Sequence, residues 1–175
     1  MPNSNFFELL GLPVTFVVDM KLLSSNYRLL QAKFHPDKFA HASDAEQRSA
    51  LQSSSLINQA YDTLRHPANR AAYLLEMAED RLRTDHTMRP DPAFLMQQIE
   101  WRESLAEVDE LDNPEAALEH LLTEFKSALK PVEVEFSEAY ATANYELAHH
   151  AVDKMQFIYK LLAEAEAVEA RLLDE

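Results

Sequence analysis

Residues Leu30-Gln31-Ala32-Lys33-Phe34-His35-Pro36-Asp37-Lys38-Phe39 decide the fold, and His35-Pro36-Asp37 at their centre decides most of it. Pro36 has no backbone N–H and drives the residue before it out of helical geometry, so a helix arriving from the N-terminal side must stop at about His35. Such a helix is written into residues 19–34. Asp19 can cap it, and Leu23, Tyr27, Leu30 and Phe34 recur at spacings of four, three and four. A second amphipathic stretch over 44–65 can start at Ser43 or Asp44 and points Leu51, Ile57, Tyr61 and Leu64 inward. The two predict a helical hairpin that displays an imidazole and a carboxylate at its tip.

N-terminal to this hairpin, Asn5 can cap a short helix over 6–10 that Gly11 and Pro13 close. Pro67 breaks or restarts the helix after Arg65, and 68–78 reads as a short fourth helix. A polar segment over 80–91, with Pro90 and Pro92, marks a boundary. The expected organisation is an N-terminal domain over 1–76, a linker over 77–91 and a C-terminal domain over 92–175. Asp91-Pro92 and Asn113-Pro114 each start a helix, with the first helix ending near Asp112. A third helix starts near Asn144 and runs to Leu173. The fold class is all-α, with the second part an antiparallel three-helix bundle. Pro131 falls inside the middle helix and should kink or split it.

Composition narrows the function. The 175 residues hold one Gly and no Cys, which excludes disulfides, thiolate metal sites and a cysteine nucleophile. The net charge of −14 is uneven: +1 over residues 1–75 and −15 over 76–175. A nucleic-acid partner for the acidic part is disfavoured by phosphate repulsion, and a basic or mixed protein surface is favoured. Acidity that only keeps a helical domain soluble is the competing explanation. The N-terminus lacks a basic n-region and a long apolar run, so no signal peptide is expected. No stretch reaches the roughly 18 apolar residues of a membrane span. The expected location is cytoplasmic, which the absence of Cys permits.

Catalysis finds little support. His35 and Asp37 could form an acid–base pair, but no nucleophile, Gly-rich phosphate loop or metal spacing accompanies them. His149 and His150 are adjacent and diverge on a helix. Asp153 follows His149 at i+4 with no third ligand in view, so no metal site is assigned. Met155, Ile158 and Leu162 keep helical spacing and read as core.

The helix from Pro92 has two apolar faces at about 100° per residue. Phe94, Trp101, Leu105 and Val108 form an ordinary core stripe. Leu95, Met96 and Ile99 lie on another side, which Glu100, Glu103 and Glu107 share. A surface helix needs one stripe. The second is either buried against another element or exposed as an acid-rimmed patch that meets a partner.

The N-terminal part resembles a J-domain. The features that carry this are the helix before His35-Pro36-Asp37, the run Ile57-Asn58-Gln59-Ala60-Tyr61-Asp62-Thr63-Leu64, and Arg65-His66-Pro67 with Arg70 and Tyr73. The resemblance implies a co-chaperone, without catalysis or cofactor of its own, that stimulates the ATPase of an Hsp70. It implies docking through His35, Pro36, Asp37 and Lys38 with the basic residues Arg28 and Lys33, Lys21 lying further away. A Gly/Phe-rich linker and a Cys-rich zinc module are both absent, so the general-purpose J-proteins do not fit. His35-Pro36-Asp37-Lys38-Phe39, Arg70-Ala71-Ala72-Tyr73-Leu74-Leu75 and Ala93-Phe94-Leu95-Met96-Gln97-Gln98-Ile99-Glu100 are instead similar to the HscB family of iron–sulfur cluster assembly. That similarity implies two partners, an Hsp70 of HscA type and an IscU-type scaffold. The scaffold would be held by Leu95, Met96, Ile99, Glu100, Glu103, Glu107 and Phe157. The rival reading keeps the J-domain and gives the acidic bundle a different client.

Overall fold

A computed structural model describes residues 5–82 and 91–173. The described chain is helical, with no strand among these residues. It divides into two compact units, residues 1–74 and 75–175.

In the first unit α1 (Phe6–Leu9) is capped by Asn5, whose side chain accepts from the Glu8 amide. Gly11 follows at φ +65°, a left-handed conformation that strains any residue with a Cβ. Its open side also admits Asn26, whose amide donates to the Leu10 carbonyl at 2.8 Å. α2 (Met20–Phe34) and α3 (Asp44–Arg65) form the hairpin. Asp19 caps α2, and Ser43 with Glu46 makes a reciprocal capping box on α3.

Leu23, Ile57, Ala60 and Leu64 form the buried seam of the hairpin. A polar ladder fixes its register: the Tyr27 hydroxyl donates to Asn58 at 2.9 Å, Gln31 donates to the same Asn58 oxygen, and Ser54 donates to Gln31 at 3.3 Å. Tyr27 and Tyr61 stack 4.0 Å apart, a contact worth about 0.5–1.5 kcal/mol beyond its buried area.

Leu51 corrects the expected inward row. It is exposed, and the buried positions of α3's first half are the smaller Ala50 and Ser54. The helix is rotated so that Ser54 meets Gln31 of α2.

α4 (Pro67–Leu82) begins with Pro67 and runs past the expected end at Ala78. Phe6 stacks on its Tyr73 at 4.5 Å, and the Tyr73 hydroxyl accepts from the Phe6 amide. Arg70, buried to 6 % exposure, donates to the Leu64 carbonyl and covers Phe16 at 5.0 Å. Residues 77–82 of the expected linker are therefore helical, and 83–90 lie outside the described residues.

In the second unit α6 (Pro114–Ala141) and α7 (Tyr145–Leu173) form the main antiparallel pair. Leu118, Phe125 and Phe136 of α6, and Met155, Ile158 and Leu161 of α7, are among the buried core. Truncating Phe125 to Ala here would cost about 3–5 kcal/mol. Pro131 does not split α6. It lies on the exposed side of one continuous helix, where water can satisfy the carbonyl its ring leaves without a donor. The turn into α7 uses Ala143 at φ +55° and Asn144, which caps α7 through the Leu147 amide.

α5 (Pro92–Ala106) packs against this pair. It ends six residues before the expected Asp112. A 3₁₀ turn at Val108–Glu110 takes over, burying Val108.

Candidate functional site

The structure offers two exposed surfaces, one on each unit. The first is the hairpin tip. His35 ends α2 in an extended conformation, φ −61° and ψ 129°, as a residue before proline should. It then caps the 3₁₀ turn Pro36–Phe39, its carbonyl accepting from the Lys38 amide at 3.0 Å. Its Nδ1 lies 3.3 Å from the Asp37 amide nitrogen and 3.5 Å from the Asp37 carboxylate. One ring nitrogen cannot accept from the first and donate to the second together, so the ring is held loosely while the backbone beneath it is fixed. The two side chains are 52 % and 89 % exposed.

Lys38 is exposed in the turn, and Arg28, Lys33 and Lys21 are exposed on α2. Helical geometry does not gather them on one line. Lys21 and Arg28, seven residues apart, share a face within about 20°, whereas Lys33 lies about 140° around from Arg28. Lys21 thus belongs with Arg28 more closely than Lys33 does. Between the two cationic edges stand exposed Leu22 and Leu29. The core periodicity of α2 does not account for this pair. Their seven-residue spacing, one step out of phase with buried Leu23 and half-buried Leu30, is the signal that could have found them.

The second surface is the outer side of α5. Asp91 caps this helix: its Oδ1 accepts from the Ala93 and Phe94 amides at 3.1 and 3.4 Å. The Phe94 amide, and secondarily Lys154, hold the Asp91 carboxyl below its usual pKa, against an opposing effect of burial. Trp101 and Leu105 point into the bundle. The indole N–H of Trp101 donates to Glu124 at 2.7 Å, and its ring meets Phe125 edge-on at 5.5 Å. Phe94, expected in the core, is half-buried and meets Phe157 of α7 edge-on at 5.8 Å. Phe157 is also half-buried, with the Arg102 guanidinium 5.3 Å above its ring.

Leu95, Met96 and Ile99 are 44 %, 60 % and 51 % exposed. Glu100, Glu103 and Glu107 are exposed along one side of them. The structure therefore brings three apolar side chains together in water, edged by carboxylates on one flank and by the Phe157–Arg102 stack on the other. Full burial of a large apolar side chain is worth about 1.5–3 kcal/mol, and with half of each still in water a partner would gain about half of that per residue. The carboxylates add charge recognition. Among the described residues no three His, Asp or Glu side chains are placed to hold a metal ion, and no helix is long and apolar enough to cross a membrane.

Comparison with known proteins agrees with this two-part layout. Residues 5–73 match the DnaJ domain, and residues 90–166 match the family described as the HSCB C-terminal oligomerisation domain. A co-chaperone protein HscB homolog of Aeromonas hydrophila is 40 % identical over 170 residues, covering 97 % of this chain and 99 % of its own. The solved chaperone HscB from Vibrio cholerae superposes with a TM-score of 0.85 at 40 % identity, covering 97 % of this chain and 99 % of that one. The human co-chaperone protein HscB follows with a TM-score of 0.75 at 28 % identity, covering 95 % and 85 %. A J-domain joined to this C-terminal domain, with such identity over nearly the full length, places the chain in the HscB family of co-chaperones.

Proposed function

We propose that this co-chaperone holds an IscU-type iron–sulfur scaffold on the outer side of α5 and delivers it to an Hsp70 of HscA type. The single observation that carries the reading is the exposure of Leu95, Met96 and Ile99 beside Glu100, Glu103 and Glu107, in a chain of the HscB family. Phe157 extends this surface onto α7. The hairpin tip, with His35, Pro36, Asp37 and Lys38 and the cations Arg28 and Lys33, engages the Hsp70 and stimulates its ATP hydrolysis. Tighter client binding by the ADP state then promotes transfer of the cluster. The chain has no catalytic step of its own. Its contribution is effective concentration, because one polypeptide keeps client and chaperone within reach of each other.

The acidic rim also selects against alternatives. Nucleic acid would bring phosphates against this row of Glu, which repels them. In this reading the chain works in the cytoplasm, and residues 1–76 and 92–175 are separable parts.

Affinity capture from the native cell tests the proposal. Recovery of both an Hsp70 and an iron–sulfur scaffold is expected. Recovery of the Hsp70 with another client and no scaffold would reject the scaffold assignment and leave the J-domain role standing.

A further inference from the structure

The apolar face of α5 sits on the half of the helix with the least beneath it. The buried residues of α5 are Trp101 and Leu105, both in its second half. Leu95, Met96 and Ile99 stand on the first half, supported from below by half-buried Phe94. A binding face requires a fixed height and rotation, so something else must hold this end.

The group placed to do so is Lys154 of α7. Its ammonium lies 3.3 Å from Asp91 Oδ2 and 3.3 Å from Glu135 Oε2 of α6, and 5.9 Å from the centre of the Phe94 ring. The side chain is 17 % exposed, which leaves little of it for a partner to touch. Asp91 divides its carboxylate between two tasks. Oδ1 closes the N-terminus of α5, and Oδ2 faces the ammonium. One cation thereby ties the cap of α5 to both long helices. Without it, the Asp91 and Glu135 carboxylates would converge on a shared site with no charge between them, and like charges there repel under weaker screening than on an open surface.

We infer that Lys154 is a positioning residue for the partner-binding face, holding the first turns of α5 against α6 and α7 without itself touching the partner. This rests on the proposal that the α5 face holds the scaffold. K154M keeps the length of the side chain and removes the charge. K154R restores a cation whose planar fork can bridge two carboxylates. D91N keeps a good helix cap but gives up the ion pair.

Calorimetric titration of the full-length variants with purified IscU-type scaffold, beside thermal melts and amide hydrogen exchange without scaffold, gives the test. K154M and D91N should each weaken binding roughly tenfold, and combining them should add little, as expected for two members of one contact. K154R should bind within about twofold of wild type, since a cation able to bridge Asp91 and Glu135 is retained. Exchange at the amides of residues 95–99 should quicken in K154M and return to the wild-type rate in K154R. If K154M fails to fold, D91N and K154R carry the same comparison.

Wild-type affinity and exchange in K154M, while the triple variant L95A/M96A/I99A no longer binds, would overturn the inference and leave the face intact. Binding as weak in K154R as in K154M would also overturn it. A wild-type protein that does not bind the scaffold would defeat the underlying reading, and the inference with it.

Discussion

At the tip of the α2–α3 hairpin, three consecutive residues are held by their own backbone. On α5, three apolar side chains are held by a helix that must itself be held. Pro36 fixes His35 in an extended conformation and starts the 3₁₀ turn, so the geometry of the tip is local. The α5 face depends on Trp101 and Leu105 in the bundle, on Phe94 against Phe157, and on Lys154 between Asp91 and Glu135. The tip is a polar signal with little area. The α5 face is an apolar surface, of the kind on which a few central anchors carry most of the energy of a contact. The difference is in keeping with the two proposed roles, a brief stimulus to an Hsp70 at the tip and the holding of a client on α5.

The largest expected effect tests the polar end. H35Q should abolish stimulation of the Hsp70 ATPase while shifting stability by less than about 0.5 kcal/mol, because the side chain is exposed and packs against little. Steady-state ATPase assays and circular dichroism check the two parts. Full stimulation by H35Q would break the comparison at its polar side.

Next in size is the apolar end. L95A/M96A/I99A should weaken scaffold binding by about a hundredfold or more, since a few central anchors dominate an interface. It should lower the melting temperature only slightly. A buried trio would instead cost about 2–5 kcal/mol for each residue and melt far earlier. A large fall in melting temperature would show these side chains supporting the fold and would end the case for a docking face.

A smaller effect sharpens the role of the rim. Changing Glu100, Glu103 and Glu107 together to Gln should slow association and flatten its salt dependence, with a lesser change in dissociation. Stopped-flow association at several ionic strengths measures both. Unchanged association rates would place the charges outside the interface.

The smallest effect returns to the hairpin. The Ser43 hydroxyl, with the Ser43 amide, holds the Glu46 carboxyl below its usual pKa. A lowered folded pKa means that the ionised group stabilises the fold above the ordinary glutamate range, and that this contribution is lost as pH falls through the lowered value. E46Q should therefore melt slightly below wild type at neutral pH, with the gap closing in acid. A gap that widened in acid would contradict the capping box.

Much of this was readable in advance because the signals are local. Asp19, Ser43, Asn113 and Asn144 cap the helices whose starts they were expected to mark, and Asp91 does so while Pro92 opens α5. Leu51 misled because it is the larger apolar residue beside Ala50, and size alone does not say which side chain a neighbouring helix has room to meet. The split expected at Pro131 does not occur, because the cost of a helical proline depends on whether water reaches the freed carbonyl, which periodicity does not encode. Lys154 carries no local signal, because its partners lie 63 and 19 positions away in the chain.

What the sequence determined by itself was the all-α class, the hairpin with His35-Pro36-Asp37 at its tip, and the existence of two apolar faces on α5. Capping, proline sterics and a 3.6-residue repeat act within a few residues, so composition order suffices to specify them. Only the tertiary structure decided which face of α5 is buried, how Leu22 and Leu29 come to lie between separated cations, and what holds the first turns of α5. Each of those is a matter of which distant helix supplies the neighbouring atoms. Burial and ion pairing are fixed by contacts between remote segments, and a helical repeat is blind to them.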